Sequence, residues 1–94
     1  MKIDQNIIVQ AISHFGSVVQ IDKCAEELGE LQIELTANET DTARIIDEMA
    51  DVYVTLEYLF LCFAIRKTAV QKRINFKLEK LKNRIESERK KNEN

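Results

Sequence analysis

The chain has no proline and no tryptophan, and it has one histidine, two glycines and two cysteines among 94 residues. Each shortage excludes something. Without proline, and with only Gly16 and Gly29 as breakers, the tight turns that β-hairpins need are scarce, which points to long helices. His14 alone cannot supply the imidazole ligands of a zinc site, and no Glu-x-x-His exists for a di-iron bundle. Cys24 and Cys62 lie too far apart for a CxxC motif, and each falls within an apolar stripe, so both are expected to be buried free thiols. The longest apolar stretch, residues 52–65, is shorter than the roughly 20 residues of a membrane span and contains Glu57. The opening MKIDQN has no apolar signal-peptide core. A cytoplasmic protein with no membrane partner is therefore expected.

What is present is helical periodicity. Ile3, Ile7, Ile8, Ala11, Ile12 and Phe15 recur at helical spacing, with Asp4 placed to cap the start and Gly16 the end, which predicts helix one over about 4–15. Helix two follows over about 18–37 with the seam Ile21, Cys24, Leu28, Leu31, Leu35, whose alternating three- and four-residue steps are those of a coiled coil. The polar segment 38–42 offers Thr40 or Asp41 as a cap for helix three, whose stripe is Ile45, Met49, Val52, Leu56, Leu59, Phe63. The second half of that helix is apolar on several faces, which suggests contact with a second subunit. After a break near 66–68, helix four carries Val70, Ile74, Leu78, Leu81 and Ile85, and a polar tail from about Ser87 is expected to fray. Short connections favour antiparallel neighbours. The expected fold is all-α, a single four-helix-bundle-like domain spanning residues 1–94.

Two acidic pairs stand out, Glu27 with Glu30 and Glu48 with Asp51. Residues three apart share a helix face. Each acid immediately precedes a seam residue, so both pairs flank an apolar stripe on the same side, about 100° round the helix. If helices two and three pack antiparallel, the four carboxylates can converge, and their repulsion must be relieved by protons or by a cation. An all-oxygen site of this kind suits Mg²⁺ or Mn²⁺. Spacing alone is equally compatible with solvated flanks, because charged residues border the core stripes of many soluble bundles.

Helix four repeats the phasing with opposite charge. Arg73, Lys77, Lys80 and Arg84 each precede a seam residue, either as a solvated flank or as donors to phosphate oxygens. A nucleic-acid partner is not expected from a chain of net charge −2 with no nucleic-acid-binding motif. No Walker loop, GxGxxG or serine-nucleophile motif is present, so phosphate chemistry here would have to be centred on a metal.

The segments Glu26-Glu27-Leu28-Gly29-Glu30 and Glu48-Met49-Ala50-Asp51 resemble the EExxE…ExxD signature of MazG-like nucleotide pyrophosphohydrolases, within the all-α NTP pyrophosphatase superfamily. The resemblance is closest to short phage and prophage versions and runs from about His14 to Ile85. It takes in Gln20 and Lys23 before the first motif and Asn75-Phe76-Lys77-Leu78-Glu79-Lys80 after the second.

The resemblance implies that Glu27, Glu30, Glu48 and Asp51 ligate Mg²⁺. It leaves Glu26 open as a supporting residue, a ligand of another ion or a base for water. It also implies that Lys77 and Lys80, assisted by Asn75 and with Lys23 from helix two, contact the triphosphate. The implied activity cleaves the α–β phosphoanhydride of a (d)NTP to give the monophosphate and pyrophosphate, in a homodimer or homotetramer that cleanses the nucleotide pool. Tryptophan, which some relatives stack on the base, is missing; Phe15, Tyr53, Tyr58 and Phe76 are the available substitutes. The alternative to an enzyme is a silent helical module of a mobile element that binds a partner through the apolar face of helix three.

Overall fold

Four helices follow one another in the computed structural model, which describes residues 1–93: α1 (Gln5–Phe15), α2 (Ser17–Leu35), α3 (Thr42–Cys62) and α4 (Lys67–Asn92). No strand occurs among the described residues. The all-α expectation holds, and each expected helix is present.

The helix ends follow local chemistry. Asp4 caps α1, its carboxylate accepting the Asn6 N–H at 2.9 Å. Asp41, rather than Thr40, caps α3 by accepting the Arg44 N–H at 3.2 Å. Gly16 closes α1 with its N–H donated to Ile12 O at 2.8 Å, and its φ of 92° lets the chain turn straight into α2. That backbone conformation is open to glycine and strained for other residues.

The turn between α3 and α4 is a Schellman motif without glycine. Ile65 N–H donates to Phe60 O at 2.9 Å and Ala64 N–H to Leu61 O at 3.3 Å, while Ala64 takes the left-handed φ of 51°. Helix three therefore ends at Cys62 and helix four begins at Lys67.

α2 and α3 form an antiparallel hairpin, and α1 packs across both. Ile8 of α1 and Cys24 of α2 are the buried apolar residues; Gln20 and Thr55 are buried beside them. Two expectations need correction here.

First, α4 does not close a four-helix bundle within the chain. None of its residues is buried, and it packs along none of the other helices. At 26 residues it is about 39 Å long. With it the radius of gyration is 17.6 Å, where a compact chain of this length has about 12 Å. The helix continues through the polar tail as far as Asn92, along strong helix formers such as Glu, Arg and Lys.

Second, the α2–α3 contact is rotated away from the expected seam toward its acidic flank. The side chains of Glu27 and Glu34 are 15% and 18% exposed, whereas Leu28 and Leu35 are 47% and 63% exposed. The facing residues on α3 are Glu48, Asp51 and Thr55, while Met49 and Leu56 lie outside. Ile21, Cys24 and Leu31 of the seam, with Ile45, Val52 and Leu59 on α3, stay buried or half-buried, so the turn is only a part of the roughly 100° between neighbouring positions, enough to bring Glu27 in as Leu28 goes out.

Candidate metal centre

The rotation brings three of the four expected ligands together. One carboxylate oxygen each from Glu27, Glu48 and Asp51 lie within 4.8 Å of one another, on half-buried side chains. Glu48 and Asp51 are one turn apart on α3, and Glu27 meets them from α2. Below this group, Cys24 lies one turn before Glu27 and Thr55 one turn after Asp51, and the Cys24 thiol donates to the Thr55 carbonyl at 3.5 Å. Burial pushes the Cys24 thiol above its ordinary value, so it remains a neutral packing residue.

Among the described residues one ion pair reaches the three acids, Lys23 on Glu27 Oε1, and the other charge on them faces like charge. Oε2 of Glu27 and Oε2 of Glu48 are both shielded from solvent and have no hydrogen-bond partner. Loss of water raises the Glu27 carboxyl above the usual range, with repulsion from Asp51, Glu30 and Glu48 adding to it. Glu48 is raised in the same way, by burial first and then by Glu30, Asp51, Asp47 and Glu34. Buried polar atoms are almost always partnered, so two orphaned carboxylate oxygens within one three-acid cluster call for an explanation. A divalent cation with oxygen preference would satisfy both oxygens and remove the repulsion.

Glu30 is exposed and lies outside the three-residue group, though close enough to load charge on both Glu27 and Glu48. Glu26 is exposed and belongs to no cluster among the described residues. Lys23 lies beside the site, its ammonium 3.9 Å from Glu27 Oε1 one turn along α2.

The expected helix-four residues are not brought to the acids within the chain. Lys77 and Lys80 share a shallow surface groove with Leu81 and Arg84, and Asn75 accepts a hydrogen bond from the Gln71 amide at 3.0 Å. The physical cause is the projecting course of α4.

Two residues with a place at the site were not singled out by sequence. Arg44, one turn before Glu48, lies 3.8 Å from Glu34 and 3.6 Å from Asp41 with an exposed guanidinium. Together with Glu34, Ala43, Asp47 and Glu48 it lines an open groove of about 530 Å³ leading onto the cluster. The signal was available in the spacing, since Arg44 and Glu48 stand four apart on α3 and Glu27 and Glu34 seven apart on α2.

No family model, curated protein or solved structure matches the chain. No helix among the described residues is long and apolar enough to cross a membrane.

Proposed function

We propose that the protein is a Mg²⁺-dependent nucleotide pyrophosphohydrolase of MazG-like type that converts a (d)NTP to the (d)NMP and pyrophosphate. The single observation carrying this reading is the cluster of Glu27, Glu48 and Asp51, in which Glu27 and Glu48 each keep a buried oxygen without a partner. Glu27, Glu48 and Asp51 would hold the ion, with Glu30 completing the set from the exposed side. When bound, Mg²⁺, or Mn²⁺ in its place, would neutralise triphosphate oxygens and draw charge from the phosphorus under attack.

The chain's own residues then have distinct tasks. Glu26, the motif carboxylate not engaged by the ion, takes the proton of the attacking water. Water oxygen bonds to the α-phosphorus, the α–β bridge breaks, and pyrophosphate leaves with the bridging oxygen. Lys23 and Arg44 stand where cations can hold phosphate oxygens as charge builds on the leaving group. Lys77, Lys80 and Asn75 join them only if α4 is brought over the hairpin. We place the protein in the cytoplasm as a homo-oligomer acting on the nucleotide pool, as in phages and prophages.

A second reading is favoured by one observation, the exposed apolar faces of α3 and α4: a silent helical module that binds a protein partner. The two separate on one assay. Purified protein is incubated with a panel of NTPs and dNTPs, in Mg²⁺ or in EDTA, and pyrophosphate and orthophosphate are measured separately. Mg²⁺-dependent pyrophosphate with equimolar monophosphate and no orthophosphate is the expected result. Silence across the panel from folded, assembled protein would favour the partner-binding module.

A further inference from the structure

The net charge of −2 conceals a segregation that the fold makes physical. From Lys67 to Asn92 there are ten Lys and Arg against three Glu, which leaves four basic and thirteen acidic residues in the rest of the chain. α4 packs along none of the other helices, and every residue from Phe63 to Glu93 is exposed. Beyond Lys67, no base of α4 takes part in an ion pair among the described residues. The summed charge gives no reason to expect a nucleic-acid partner, but a polyanion meets the arm and not the sum.

The bases are ordered along the arm. Arg73, Lys77, Lys80, Arg84 and Lys91 follow one another by four, three, four and seven residues, so they fall within about 60° of one helix face and form a ridge about 27 Å long. Glu88 borders that ridge, and Glu79 and Glu86 lie about 130–150° round the helix from its centre. Phe76, the aromatic residue of α4, is half exposed beside the ridge. The Arg73 guanidinium stands 4.7 Å and the Lys80 ammonium 5.7 Å from its ring centre. A line of unpaired cations with an aromatic ring set among them is the arrangement that follows a phosphate backbone while offering a flat face to an unpaired base. A duplex keeps its bases inside the stack and leaves such a ring unused.

Charge alone would also suit an anionic membrane surface, and the place of Phe76 decides against it. A helix lying in a membrane interface buries its aromatic residues with its apolar face. Phe76 lies about 160° round α4 from the stripe of Val70, Ile74, Leu78, Leu81 and Ile85, and the last seven residues of the helix carry no apolar side chain. We propose that α4 is a binding arm for single-stranded nucleic acid, without sequence preference: Arg73, Lys77, Lys80, Arg84 and Lys91 hold phosphates of one strand, and a base stacks at Phe76. These contacts are to phosphates and base faces, which DNA and RNA share. The arm uses Lys77 and Lys80 with α4 projecting as it stands, and it does not rest on the hydrolase reading, because binding needs neither Mg²⁺ nor turnover.

The test is fluorescence anisotropy of a labelled 20-nucleotide oligothymidylate titrated with the full chain in EDTA. On a single strand each phosphate contact contributes about −0.7 to the slope of log affinity against log salt, so five contacts predict a slope of about −3.5, a loss on the order of a hundredfold between 0.05 and 0.2 M NaCl. Arg73→Gln/Arg84→Gln should flatten the slope to about −2.1. Phe76→Ala should weaken single-strand binding by about fivefold or more with the slope unchanged, and should cost nothing on a duplex of the same length. All three positions are exposed, so helix content by circular dichroism should match wild type. No anisotropy change at about 100 μM protein in 0.05 M NaCl would overturn the proposal. So would a slope unaltered in Arg73→Gln/Arg84→Gln, or single-strand binding indifferent to Phe76→Ala. Retention on vesicles of phosphatidylcholine and phosphatidylserine, with the oligonucleotide left free, would make α4 a membrane-surface helix instead.

Discussion

Glu48 and Glu57 sit on the same helix, nine residues or about 13 Å apart along its axis, and the protein treats them in opposite ways. Glu57 is 13% exposed and fully engaged. It accepts from the Gln5 amide of α1 and lies 3.0 Å from the Lys67 ammonium at the start of α4. Burial alone would raise its pKa, but those two donors bring it below the usual carboxylate value. Glu48 is raised by burial and by four neighbouring acids, and one of its oxygens has no partner. Glu57 ties three helices together and is complete as it stands. Glu48 has no such donors, and the proposed function reads that difference as one between a structural carboxylate and one held for a cation.

The largest expected effect breaks the comparison at its functional end. Glu48→Gln or Asp51→Asn should lower pyrophosphate release by at least about a hundredfold, an effect on the order of 3 kcal/mol or more in the barrier, with helix content retained. Glu57→Gln should keep turnover near normal. Near-normal rates in either of the first two variants would remove those residues from the ligand set.

Metal removal comes next. Millimolar Mg²⁺ should raise the melting temperature of wild type, since binding at ten to a hundred times the Kd stabilises by about 1.4–2.7 kcal/mol. Glu57→Gln should retain that gain and Glu48→Gln should lose it. An equal response in both would mean that the ion acts elsewhere.

The pH dependence sharpens the contrast, because the two signs oppose. Glu27 and Glu48 hold protons more tightly in the folded state. Their contribution to stability is full below the unfolded value, about 4.3, and is lost as pH rises through their raised folded values. Glu57 contributes above the unfolded value and loses its contribution as pH falls through its lowered folded value. In EDTA, Glu48→Gln should therefore melt above wild type at pH 7, the gap closing toward pH 4. Glu57→Gln should melt below wild type at pH 7, with that gap also narrowing in acid. Matching signs at pH 7 in thermal melts would undo the distinction.

The smallest effect belongs to the basic residues. Lys77→Ala should weaken triphosphate binding severalfold while leaving the melting temperature almost unchanged, because its side chain is exposed. A substrate KM unaltered by the change would place Lys77 outside the site.

Element type was legible in the sequence because periodicity is a local property. The Asp4 and Asp41 caps, the Gly16 turn and the four helices all follow from residues within a turn or two of each other. The carboxylates were legible too, as two pairs in matching phase, and three of the four do converge. The rotation of α2 against α3 was not legible, because period alone does not say whether Leu28 or Glu27 faces the partner helix. The course of α4 was hidden for a similar reason: its stripe asks for a surface to cover without naming which chain supplies it. The Ala64 turn carries no glycine or proline to mark it, so the end of α3 was placed about three residues late.

The central claim is that the Glu27–Glu48–Asp51 group is a divalent-cation site, and calorimetric titration of Mg²⁺ into metal-free protein at pH 7 tests it most directly. Wild type and Glu57→Gln should bind Mg²⁺ with similar affinity, and Glu48→Gln should show no binding at the same concentrations. Equal heats from all three proteins, or none from any, would contradict the account.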